Sequence, residues 1–110
     1  MTQLVGPRVG QMAYTVEFAA SVRSQLRALA VRERVLILRG IEEQLTRQPL
    51  VETRNRKPLR PNPVAPWELR VGTLRVFYEV PSATGRVVRV LAVGKKSGSI
   101  LRIGRKEVRL

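Results

Sequence analysis

Cysteine and histidine are both missing from this chain of 110 residues. Without cysteine there is no disulfide framework and no redox hint about compartment. Without either residue, the common zinc constellations and every nucleophile–base pair built on His or Cys are excluded. Long hydrophobic runs are also lacking, and none approaches the roughly 20 residues of a membrane helix. The stretch from Met1 to Gln11 carries Arg8 but no apolar centre, so no secretory signal is expected there and a cytoplasmic home is the default expectation. No glycine-rich phosphate loop opens a helix, and a nucleotide cofactor is not expected. Any enzymatic chemistry would have to rest on Arg, Lys, Tyr, Glu or the backbone.

Acidic residues are scarce. There are 8 Asp+Glu against 21 Lys+Arg, a formal net charge of +13. Residues 1–50 and 51–85 each carry a net of +3, while residues 86–110 carry eight basic groups against Glu107 alone, or +7. Self-repulsion on this scale destabilises a compact state unless something binds it, so a functional basic face and a polyanionic partner are expected. The hydrophobic fraction of 44% argues for a globular core. The length suits one domain, read here as residues 12–110 behind a loose arm over residues 1–11, with Met12 as a possible initiator.

Tyr14, Thr15 and Val16 mark a strand within Ala13 to Phe18. Helical spacing follows from Ala19 to Gln48, with Phe18, Val22, Leu26 and Leu29 on one stripe and Val31, Leu38, Ile41 and Leu45 on the next. Two packed helices are expected, parting near Leu29 to Arg32, with both stripes in the core and Pro49 ending the second. Residues 49–66 hold five prolines among Arg54, Asn55, Arg56, Lys57 and Arg60. They read as an irregular connector, either solvated or a flexible basic lip beside a nucleic-acid site.

The most informative stretch is Trp67 to Val80. Trp67, Leu69 and Val71 alternate with Glu68 and Arg70, and Leu74, Val76, Tyr78 and Val80 with Arg75, Phe77 and Glu79. Gly72-Thr73 between them suits a two-residue hairpin turn, which sets Val71 against Leu74, Arg70 against Arg75, Leu69 against Val76 and Trp67 against Tyr78. Like charges directly opposed cost stability, so either an anion is held at Arg70 and Arg75 or both side chains splay into solvent, and the anion is the reading favoured. Arg86 to Val93 reads as a central strand covered on both faces. It leads into Gly94-Lys95-Lys96-Ser97-Gly98, read as a basic loop whose amides could approach a phosphate. Ile100 to Leu110 suggests one or two edge strands. The order β-α-α-β-β-β predicts an α+β fold, with two N-terminal helices on one face of a mainly antiparallel sheet of four to five strands.

From Tyr14 to Leu110 the chain resembles the RelE/ParE superfamily of bacterial type II toxins. The carriers are the opening Met12-Ala13-Tyr14 strand, the helix pair, Trp67-Glu68-Leu69-Arg70-Val71-Gly72, Leu74-Arg75-Val76-Phe77-Tyr78-Glu79-Val80, and Val90-Leu91-Ala92-Val93-Gly94-Lys95-Lys96. The resemblance implies a microbial-RNase-like sheet, no metal or cofactor, an acidic antitoxin partner, and ribosome-dependent cutting of mRNA through the 2′-hydroxyl. It implies catalytic roles for Arg70, Arg75 and Lys96, with Glu68 as the available base and Arg102 where a tyrosine is expected. RNA contacts would come from Arg54, Arg56, Lys57, Arg60 and Lys95. Glu68 and the absent tyrosine leave open a toxin of the ParE kind that binds DNA gyrase without catalysis, or a degenerate RNA-binding member. A membrane-surface role has least support, because no strongly amphipathic basic helix is available.

Overall fold

The computed structural model describes residues 13–110, and the expected arm and Met12 lie outside them. The order is β1 (Thr15–Phe18), α1 (Val22–Arg27), α2 (Val31–Leu45), β2 (Arg56–Pro58), β3 (Trp67–Val71), β4 (Leu74–Glu79), β5 (Val87–Ser97), β6 (Ile100–Ile103) and β7 (Lys106–Val108). A 3-10 turn, Ser82–Thr84, joins β4 to β5. The fold is α+β, but the described sheet has seven strands, more than the four to five expected. Five of the strand pairings are antiparallel, and β1 alone runs parallel to its neighbour, β5.

The helices part at Ala28–Ala30, without glycine or proline. Ala30 is extended, with φ −63° and ψ 153°. Its N–H donates to Glu33 Oε1 at 3.0 Å, so a side chain three residues on satisfies the new helix start. Of the stripes expected in the core, Val22, Ile41 and Leu45 are buried, but Phe18 is 47%, Val31 66% and Leu38 45% exposed. The sheet-facing side of α2 is Ile37, Gly40, Ile41 and Leu45. Gly40 sets this rotation, because a Cβ there would press into the Val71 side chain.

The β3–β4 hairpin has the predicted register at every pair, and Gly72 turns it with φ +60°. Leu69, Val76, Tyr78, Val88, Val90 and Val93 join the helices in the main core. Burying each of these side chains is worth roughly 1.5–3 kcal/mol. Between Phe77 and Tyr78 the β4–β5 register slips around Leu91. This bulge puts Val90 and Val93 on the helix side and Ala92 in a second cluster with Ala65, Phe77 and Leu101 on the opposite face. Both faces of β5 are therefore covered, as its nearly continuous apolar sequence requires.

Two loop expectations are corrected. The Gly94–Ser97 segment is strand, pairing with β4 through Leu74 and Arg75 and with β6 through Ile100 to Ile103, and the turn comes only at Gly98-Ser99. The connector contains β2, an edge strand on β3. Beyond β2 the connector is tied down rather than loose. Asn62 Oδ1 accepts from the Val64 and Ala65 N–H groups, its amide donates to the Arg60 and Ala65 carbonyls, and Leu59 N–H donates to the Pro66 carbonyl at 2.7 Å.

Candidate nucleic-acid interface

Strand alternation sorts the charges. With Trp67, Leu69 and Val71 toward the helices, Glu68 and Arg70 stand on the opposite, open face of the sheet, and Arg75 stands there too as Arg70's cross-strand partner. The anion that the opposed arginines call for is internal. Glu68 Oε2 accepts from Arg70 Nε at 2.8 Å, and Glu68 Oε1 lies 3.9 Å from Arg75 Nε. The Glu68 side chain is only 7% exposed. Arg75 Nη1 donates to the carbonyls of Gly72 at 2.8 Å and Leu74 at 2.9 Å, which fixes the guanidinium against the hairpin turn. Burial pulls this guanidinium below the ordinary arginine range; Glu68 opposes the shift and Arg70 adds to it. Arg75 stays charged, but it is poorly hydrated, and such a cation gains more from a phosphate than a solvated one does.

Cross-strand partners share a face, which extends the array. Lys57 lies opposite Glu68 on β2, with its Nζ 3.5 Å from Glu52 Oε2 at the margin. Lys96 and its partner Leu101 lie two places beyond Gly94, itself the partner of Arg75. Gly94 keeps this row close, since a Cβ there would overlap the Arg102 carbonyl. Between Glu68 and the β6–β7 hairpin is an open concavity of about 540 Å³, lined by Glu68, Lys96, Ser99, Leu101, Val108 and Arg109 among others. Arg54 and Arg60 are exposed on the connector.

Three residues expected at this site lie elsewhere. Arg56 is buried on the helix side, where Nε donates to the Val51 carbonyl at 3.0 Å and Nη1 to the Gln44 carbonyl at 3.2 Å and Gln44 Oε1 at 2.8 Å. It caps the C-terminus of α2, which has no basic residue in its last turn. Lys95 also points to the helices, with its Nζ 2.6 Å from Glu33 Oε2. That ion pair and the Ala30 N–H hold the Glu33 carboxyl below the usual carboxylate range. Arg102 is the strand partner of Lys95, hence on that same side, and its Nη2 is 3.7 Å from Glu107 Oε1. Sequence reasoning passed over Arg109 and Ser99, for which a basic tail and a polar turn residue are the only signals.

A sheet with its helices on one face and a clamped arginine pair, two lysines and a shallow pocket on the other defines a class: a small basic α+β protein with a charged, concave second sheet face. No family model matches the chain, nor does any curated protein. Among solved structures it is similar to a chain of the crystal structure of the toxin–antitoxin complex RelBE2 from Mycobacterium tuberculosis, with 30% sequence identity and a TM-score of 0.65 over 76% of this chain and 99% of that one. The chain belongs to the RelE/ParE superfamily of toxins from toxin–antitoxin systems.

Proposed function

We propose that this protein is the toxin of a type II toxin–antitoxin pair and cuts mRNA on the ribosome through the RNA's own 2′-hydroxyl. The observation that carries this reading is the open-face constellation, in which Glu68 holds Arg70 and borders the partly buried Arg75, with Lys96 one strand further on. Arg70, Arg75 and Lys96 would stabilise the charge that builds on the phosphorane. Lys57, Arg54 and Arg60 would steer and hold the strand on either side. Glu68 keeps one oxygen, Oε1, for the RNA. The ribosome would supply much of the positioning, which is where a face with few proton-transfer groups needs most help. The partner is expected to be an acidic antitoxin that neutralises the basic surface, as electrostatic complementarity favours. The setting is the cytoplasm, where ribosomes are; no helix among the described residues is long and apolar enough to cross a membrane. Primer extension on mRNA in a purified translation system should reveal cuts only while ribosomes are engaged, and Arg70→Ala with Arg75→Ala should abolish them.

One observation favours a second reading. Glu68 already supplies Arg70 with a counter-ion at 2.8 Å, and no tyrosine occurs beyond Tyr78. A face balanced in this way also suits a non-catalytic toxin of the ParE kind acting on DNA gyrase. Intact mRNA in the translation assay, together with inhibition of gyrase supercoiling at micromolar protein, would select that reading.

A further inference from the structure

The two oxygens of Glu68 are not equivalent. Oε2 is engaged by Arg70 at 2.8 Å, whereas Oε1 lies 3.9 Å from Arg75 Nε, beyond hydrogen-bond reach. Among the described residues no donor reaches Oε1. A carboxylate with 7% side-chain exposure normally has its lone pairs satisfied, and a missing donor is costly. Glu68 also lines the concavity of about 540 Å³ whose apolar lining includes Leu101 and Val108 and whose polar lining adds Lys96, Ser99, Glu107 and Arg109. An apolar lining accepts the flat of a ring, the lining cations accept a phosphate, and the free oxygen calls for an N–H donor. Single-stranded RNA offers all three once a base leaves its stack.

We propose that this concavity receives one unstacked nucleobase and that Glu68 Oε1 reads its exocyclic amino group. The inference rests on the reading of the open face as an RNA surface and adds a specificity determinant to it. A carboxylate accepts from cytosine N4 and repels the carbonyl oxygen that uracil carries at the same position. Cytosine and uracil have the same size and stacking shape, so the two separate hydrogen bonding from packing. A glutamine at position 68 can turn either its oxygen or its amide toward the base and should accept both.

The test is fluorescence anisotropy with eight-nucleotide homopolymers, rC8 against rU8, and their deoxy counterparts dC8 and dU8. The wild-type chain should bind rC8 about fivefold or more tighter than rU8, as expected for one donor–acceptor pair against a mismatch. Glu68→Gln should bring the ratio close to one, and the preference should persist between dC8 and dU8. Ser99→Trp, at an exposed turn position in this lining, should reduce rC8 affinity to the rU8 level without altering the circular-dichroism melt. Arg75→Ala should weaken both oligonucleotides equally and leave their ratio intact. A cytosine preference that survives Glu68→Gln in a folded protein overturns the proposal. So does a Glu68 effect seen with ribose but not deoxyribose strands, which would assign the donor to the 2′-hydroxyl. Binding with no base preference overturns the pocket and leaves the RNA surface standing; no binding to any of the four overturns both.

Discussion

Replacing Arg56 with methionine separates a folding role from an RNA-binding one. The side chain keeps its bulk but loses three hydrogen bonds, to the Val51 carbonyl, the Gln44 carbonyl and Gln44 Oε1, at 3.0, 3.2 and 2.8 Å. Bonds to a charged group contribute about 1.5–3 kcal/mol each, though not additively, and two partly buried carbonyls would be left without this donor. The C-terminal end of α2, whose last turn holds no basic residue, also loses a charged cap. A total cost of about 3 kcal/mol follows, a large fraction of the roughly 5–15 kcal/mol that holds a domain together. At roughly 4–8 °C per kcal/mol for a domain near this size, Tm should fall by about 12–24 °C. Calorimetry reads the Tm, and titration of single-stranded RNA at several salt concentrations reads the electrostatics at a temperature where the variant is folded. The slope of log K against log salt should be unchanged, because a buried cap touches no phosphate. A Tm loss below about 4 °C together with a slope reduced by about 0.7, the share of one phosphate on a single strand, would refute the assignment.

Arg75→Ala should show the reverse emphasis, lowering the same salt slope by about 0.7, with a smaller stability loss of about 1–2 kcal/mol from the turn carbonyls it binds. Glu33→Gln tests the tie between α2 and β5. The folded-state pKa of Glu33 is depressed, so its stabilisation is present above the unfolded value of about 4.3 and is lost as pH falls through the lower folded value. The Tm gap between wild type and variant should be flat above about pH 5 and close in more acid solution, and a gap that widens on acidification would contradict this. Gly94→Ala should cost about 1–3 kcal/mol by forcing β6 away from β5, read as a lower urea midpoint, and a neutral outcome would show that the strands can separate freely.

The β3–β4 hairpin was fully legible in the sequence because alternation and a two-residue glycine turn leave one register. The same rule placed Glu68, Arg70 and Arg75 on one face. What escaped depended on partners far along the chain. Gly94-Lys95-Lys96-Ser97-Gly98 has loop composition, yet its backbone groups are claimed by β4 and β6 on either side. Once the segment is strand, Lys95 and Lys96 must face opposite ways, which sends Lys95 to Glu33. Arg56 and Lys57 divide in the same manner across β2, one toward α2 and one toward Glu68. The outer residues of α2 misled as well, because heptad-like spacing does not say which of two apolar stripes the sheet will take.

The central claim is that the open face cuts mRNA held on the ribosome. Its most direct test is primer extension across a translated mRNA, with wild-type protein and with the Arg70→Ala, Arg75→Ala and Lys96→Ala triple variant shown to be folded. Ribosome-dependent cuts by the wild type and none by the variant are the result this account predicts. Intact mRNA with the wild type, or equal cutting by a folded triple variant, would contradict it.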